Sequence, residues 1–188
     1  MNHEKVAGLV RELLRELGEN PDRQGLVDTP KRMAVALDFL TSGYRGDPKQ
    51  TIHNAIFVQE THNLVIARDI ELYSLCEHHL LPFFGRCHIG YIAKDRVIGV
   101  SKLARLVDLY ARRLQIQERL TDQIAHSLLK EMHADGAGVV IEAQHLCIMM
   151  RGVEKQNSMM TTSAMLGSFH ESVATRTEFL TLIARRRS

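Results

Sequence analysis

Tryptophan is absent from this sequence, and aromatic residues of all kinds make up only 5% of it. Proteins that grip single-stranded nucleic acid stack bases on aromatic side chains set among basic ones, so this composition argues against that class. An excess of one charge is also lacking. The 24 lysines and arginines are balanced by 22 acidic residues, leaving a formal charge of +2. Nothing general therefore draws the chain to nucleic acid or to an anionic membrane, and any anion site must be local. No apolar run approaches the roughly 18 residues of a membrane span. The first ten residues include Glu4 and Lys5 and lack the apolar core of a signal segment. A cytoplasmic protein is expected. Cysteines number three, an odd count without a disulfide framework, so thiols kept reduced or bound to metal are expected. Repeats, low-complexity tracts and an interdomain linker are lacking too.

What is present is an ordinary core-forming composition, 45% hydrophobic and 24% charged over 188 residues, with ten histidines. This length suits one domain with a short appendage. Val6, Leu9, Val10, Leu13, Leu14 and Leu17 recur at helical spacing before Gly18. Thr29-Pro30 reads as a helix start, with Thr29 as cap and Met33, Ala34, Leu37 and Leu40 as the buried stripe. Residues 44–54 read as loop, so 1–54 forms a helical appendage to a domain spanning 55–188. From Ile56 to Ile98 the pattern is that of strands, interrupted near Arg68-Asp69, with a hairpin around Lys94-Asp95 joining 85–92 to 96–99. Ser101 is expected to cap a helix through about Arg113. A second helix carries Ile116, Leu120, Ile124, Leu128 and Met132. Residues 139–151 read as a strand, 161–170 as another and 175–187 as a last helix ending in Arg185-Arg186-Arg187. This order suggests an α+β fold with a mostly antiparallel sheet.

The most informative tetrapeptide is Cys76-Glu77-His78-His79. Cys76 and His79 are close enough in a tight turn to bind one ion, and thiolate with imidazole suits zinc. Read as a strand, 139–151 puts His145, Cys147 and Arg151 on one face, about 7 Å from His145 to Cys147 and about 14 Å from Cys147 to Arg151. Cys76, His79 and Cys147 together make three ligands, which leaves the fourth tetrahedral position open, as in catalytic sites. Cys87 is the rival fourth ligand that would close the site and make it structural; its setting in an apparent strand favours a core thiol. His78 and His145 are left as groups for proton transfer, since imidazole titrates near neutral pH.

These residues, with Val97–Arg105, Gln115–Leu120, Met150–Val153 and Thr175–Leu180, resemble the GTP cyclohydrolase type I family over nearly the whole chain. The resemblance implies a tunnelling fold, an antiparallel sheet with two helices on one face, assembled into a ring. It implies hydrolysis of GTP to dihydroneopterin triphosphate and formate, with one zinc per subunit on Cys76, His79 and Cys147. His78, His145 and Ser101 would be catalytic. Gln117 and Glu118 would meet the guanine. Lys102, Arg105 and Arg151 would face ribose and triphosphate, with Arg32 adding a phosphate contact. It further implies a homo-oligomer, expected to be a decamer, with active sites shared between subunits. The residue types fit these roles. Glu118 offers two acceptor oxygens to the N1–H and 2-amino donors of guanine. Lys102 and Arg105 lie in the first turns of a helix, where free N–H groups favour phosphate. The alternatives are another purine or pterin enzyme on the same sheet, which releases no formate, and a non-catalytic zinc module, which would recruit Cys87.

Overall fold

The computed structural model describes residues 1–53 and 55–184. The chain divides into two compact units, Met1–Ser42 and Gly43–Ser188. The first holds α1 (His3–Glu16) and α2 (Thr29–Leu40). Asn2 caps α1 by accepting from the Lys5 N–H at 3.0 Å, and Gly18, at φ 83°, follows its end. The cap position of α2 is Asp28 rather than the expected Thr29, and no side chain bonds there; Pro30 lies in the first turn, where it forfeits no helical bond.

In the second unit, residues 43–53 are not the loop that their polarity suggested. Ser42–Arg45 forms a 3-10 turn and α3 spans Pro48–His53. Gly43 N–H donates to the Arg112 carbonyl at 2.9 Å, the Tyr44 hydroxyl accepts from Leu114 N–H at 3.1 Å, and Ile52 is fully buried. The remaining elements are β1 (Ile56–Val58), β2 (Leu64–Cys76), β3 (Pro82–Ile92), β4 (Arg96–Ile98), α4 (Val100–Ala111), β5 (Leu114–Gln115), α5 (Gln117–Met132), β6 (Gly136–His145), α6 (Leu146–Met149), β7 (Met160–Gly167), α7 (Ser168–Glu171) and α8 (Val173–Ala184). Five strands form one sheet in the order β5-β2-β3-β6-β7, antiparallel except where β5 joins β2. The interruption expected at Arg68-Asp69 is a bulge: the register shifts between Ala67 and Ile70, and Asp69 takes a positive φ of 59°.

Helices α4 and α5 pack Leu103, Leu106, Val107, Leu120, Ile124 and Leu128 into the core with Leu72, Ile89, Val139 and Ile141 of the sheet. Each such side chain contributes roughly 1.5–3 kcal/mol when fully buried. Gly85 lets β3 and β6 close at this sheet, because a Cβ there would lie 1.9 Å from the Glu142 carbonyl oxygen. A smaller cluster of Phe169, Phe179 and Val140 forms separately from this core, its two rings edge-on at 5.4 Å.

Four expectations are corrected. Residues 85–92 and 96–99 do not pair as a hairpin; β4 pairs with β1 in a separate two-stranded sheet. Ser101 does not cap α4: Gly99 holds the cap position, with no side-chain bond, and Ser101 is already inside the helix. The strand expected over 139–151 stops at His145, and Leu146–Met149 makes a helical turn. The last strand ends at Gly167, whose positive φ of 56° starts the turn Ser168–Glu171. Alternating and helical patterns cannot be told apart in an apolar run as short as Leu146–Met149. The expected arginine-rich helix end, Arg185–Arg187, lies outside the described residues. Among the described residues, no helix is long and apolar enough to cross a membrane.

Candidate metal and active site

Strand β2 delivers Cys76 to one end of the sheet and then turns sharply. The Cys76 carbonyl accepts from His79 N–H at 3.3 Å and Leu80 N–H at 2.8 Å, and Leu80 takes a positive φ of 55°. This folds His79 back over Cys76. Cys147 arrives from the other direction. Leu75 registers with Pro82, and the next residue of β3, Phe83, registers with His145, so the ends of β2 and β6 flank the start of β3. The helical turn after His145 then presents Cys147. Ligand atoms of Cys76, His79 and Cys147 all lie within 4.8 Å of one another. Two sulfurs and one imidazole nitrogen in that space can hold a metal ion, and this donor set suits zinc.

Both thiols are nearly buried, Cys76 at 5% and Cys147 at 6% exposure. Burial pushes the Cys147 thiol above its ordinary value, and neighbouring Cys76 adds to this, while Arg151 pulls the other way. Metal uptake must therefore displace protons, so apparent metal affinity should fall as pH falls. The check is a zinc competition titration across pH. Cys87 is fully buried, and burial pushes its thiol far up. It registers with Ile141 inside the core and does not join the cluster.

Around the cluster stand four groups. His78 Nδ1 lies 3.9 Å from Cys76 Sγ. The His145 ring stacks on Phe83 with centroids 4.6 Å apart and planes at 3°. Burial holds the His145 pKa below the usual value, partly offset by the Glu118 carboxylate, which places that charge within electrostatic reach of the ring. Arg151 reaches His79 Nε2 at 3.2 Å. Gln117, expected at the guanine, is only 1% exposed and uses its amide within the chain.

A pair that the sequence reading missed connects these parts. Arg119 donates to both Glu77 oxygens, at 2.7 and 2.8 Å, and Glu77 N–H donates to Gln115 O at 3.0 Å. The Arg119 guanidinium holds the Glu77 carboxyl below its ordinary pKa. The metal turn is thus tied to the start of α5, next to Glu118. Both residues stood inside the quoted motifs, but only the fold brings them into contact.

The remaining candidates lie elsewhere. Ser101, Lys102 and Arg105 occupy the first two turns of α4. That helix begins beside Tyr91, whose hydroxyl accepts from Ile98 N–H at 3.2 Å. Phe83 marks the metal end of β3, and the run from there to Tyr91 spans about 26 Å at the rise of a strand. From that start, α4 runs back along the sheet, and its other end leads through β5 to Cys76. Arg32 lies on α2 of the N-terminal unit, exposed, with its guanidinium 3.2 Å from Asp28.

Residues 6–184 match the family model described as GTP cyclohydrolase I. The chain is 56% identical to GTP cyclohydrolase 1 of Methylococcus capsulatus over 98% of this chain and 100% of that one. It is 57% identical to GTP cyclohydrolase 1 of Leptospira biflexa, over 95% and 97%, and 57% identical to that of Chromohalobacter salexigens, over 96% and 98%. Among solved structures, archaeosine synthase QueF-Like in its apo form aligns at a TM-score of 0.46 and 15% identity, over 55% of this chain and 93% of that one.

Proposed function

The chain belongs to the GTP cyclohydrolase I family and converts GTP to dihydroneopterin triphosphate, and we propose that it does so at the end of the sheet where Cys76, His79 and Cys147 meet. The observation that carries this assignment is the closeness of those three donor atoms beside two further histidines. Cys76, His79 and Cys147 would hold one zinc per chain, which would supply hydroxide-generating Lewis acidity near neutral pH for the hydrolysis at C8 of the purine. His145 hands a proton to N7 and so makes C8 electrophilic. Burial lowers its pKa, which weakens its hold on the proton and favours the transfer to N7. His78 and Ser101 serve the later opening and rearrangement of the ribose. Glu118 accepts from guanine N1–H and the 2-amino group, which adenine cannot offer as a pair. Glu118→Ala should lower kcat/KM for GTP roughly 10–150-fold, the worth of charged hydrogen bonds. A variant of normal kcat/KM would remove Glu118 from base recognition.

Lys102, Arg105 and Arg151 neutralise the triphosphate, with Arg32 as a further phosphate contact. The start of α4 lies toward the opposite end of β3 from the cysteines, which favours sites completed by a neighbouring subunit. So do the edges of the sheet. β7 has no partner beyond β6, and β2 meets β5 only at Leu75 and Cys76 among the described residues. Such edges call for pairing, and identical copies in a closed ring provide it. A homo-oligomer, for which the family expectation is a decamer, follows. Thiols held reduced fit a cytoplasmic location.

The direct test is incubation with GTP, with formate and the pterin product both measured, before and after metal chelation. Turnover that survives complete zinc removal would defeat the metal assignment. Mixing variants tests the shared site. Cys76→Ala and Lys102→Ala, each inactive alone, should regain activity when dissociated and reassembled together. Cys76→Ala with Glu118→Ala should not, because both groups come from the same chain. The reverse pattern, with reassembly confirmed by size, would mean a different distribution of residues between subunits.

A further inference from the structure

The first residue of α5, Gln117, is 1% exposed and makes more polar contacts than a side-chain amide normally finds. Its Nε2 lies 3.0 Å from Ile141 O, 2.9 Å from Met160 O and 3.1 Å from Thr162 Oγ1. Its Oε1 lies 2.8 Å from His145 Nε2. The orientation of an amide is set by its partners, and here two of them are carbonyl oxygens that can only accept. The flipped amide would press Oε1 against both carbonyls, so the nitrogen must face β6 and β7.

Two threonines reinforce that direction. Thr121 Oγ1 lies 2.7 Å from Gln117 O and 2.7 Å from Thr162 Oγ1. The Thr121 hydroxyl has one hydrogen, and Gln117 O can only accept it. Thr162 must then donate to Thr121, so toward the Gln117 amide its oxygen can only accept, and the two amide hydrogens are shared among Ile141 O, Met160 O and Thr162 Oγ1. The donors run one way around a closed ring, and Oε1 is left with accepting as its only option.

We propose that Gln117 is a positioning residue that holds the His145 proton on Nε2 and so makes Nδ1 the nitrogen through which His145 serves the substrate. This rests on the reading of His145 as the group that protonates the purine. The neutral ring has one N–H, and the nitrogen that carries it is set by the hydrogen bond that it makes. Phe83, stacked parallel at 4.6 Å, fixes the plane of the ring, while Gln117 fixes its rotation within that plane. In turnover Nδ1 takes a proton from water, the imidazolium gives the same proton to N7, and Nε2 keeps its own throughout. The family resemblance implied a place for Gln117 at the guanine beside Glu118. The geometry assigns it to the other side of the reaction, behind the acid.

The experiment reads the histidine nitrogens directly. Metal-loaded protein labelled with 15N-histidine should show His145 with its proton on Nε2, the signal being assigned by its loss in His145→Ala. Gln117→Met keeps the volume and removes the acceptor. It should mix the two tautomers and lower kcat on the order of 10–100-fold, as loss of an orienting partner does elsewhere, with KM for GTP and zinc content little changed. In Gln117→Glu the second carboxyl oxygen meets the Ile141 and Met160 carbonyls and must carry a proton to fit there; the other oxygen still accepts, so this variant should retain the Nε2–H form and more of kcat than Gln117→Met. It also serves where the methionine variant does not fold. A wild-type spectrum with the proton on Nδ1 would overturn the proposal, whatever the activity. So would a folded Gln117→Met of normal kcat, or one in which kcat, KM and zinc content deteriorate together. The spectrum is independent of turnover, so a failed tautomer assignment and a failed catalytic role for His145 are told apart.

Discussion

Cys147→Ala should lose its zinc and its formate release together, while Cys87→Ala should keep both. The two thiols look alike by exposure, 6% against 0%, and both come from the sheet region. They differ in what surrounds the sulfur. Cys147 sits on the turn after β6 with Cys76 and His79 within 4.8 Å, so its removal leaves two ligands for an ion that needs at least three from protein. Cys87 faces the core among apolar side chains, and its loss leaves a small void worth about 1 kcal/mol. At this chain length that is a melting shift of roughly 2–4 °C. Metal analysis of the purified variants, with formate measured on the same samples, decides the matter. Zinc lost equally from both would mean that the site is closed by four ligands and is structural.

The second large effect is expected at His145. His145→Ala should retain zinc and bind GTP, yet release formate about 10²–10⁴-fold more slowly, the usual worth of a positioned acid or base. The residue stands two positions from Cys147, but its ring turns to Phe83 and Gln117 and takes no part in the metal cluster. Its effect should therefore fall on kcat, with GTP affinity and zinc content near those of the wild type. Single-turnover measurement with enzyme in excess over GTP and above its Kd separates the chemical step from affinity. Near-normal formate release would take His145 out of ring opening, and a parallel loss of zinc would make it a support of the metal instead.

The parts of the site that were legible in the sequence are those with short, local signatures. Cys76 and His79 lie in one turn, so their spacing alone puts them in reach of one ion. Lys102 and Arg105 share a helix face for the same reason. Cys147 was named from the same strand pattern that misplaced it: alternation put it on a face with His145 and Arg151, whereas a helical turn presents it. Its membership of the cluster thus followed from a residue type that suits a metal ion, not from the local structure assigned to it. Glu77 and Arg119 were legible as residues but not as partners, since an ion pair across 42 positions leaves no local pattern.

By itself, the sequence determined the fold class and the zinc-type donor set, because periodicity and ligand type are properties of the residues wherever they sit. Only the tertiary structure decided which donors converge and which stand apart. Sheet register puts the ends of β2 and β6 on either side of β3, and so gathers Cys76, His79 and Cys147, while Lys102 and Arg105 stand apart from that cluster on α4. It also turned Gln117 inward. An amide reads as a substrate contact as long as its hydrogen bonds are uncounted, and burial beneath two strands obliges those bonds to be made within the chain.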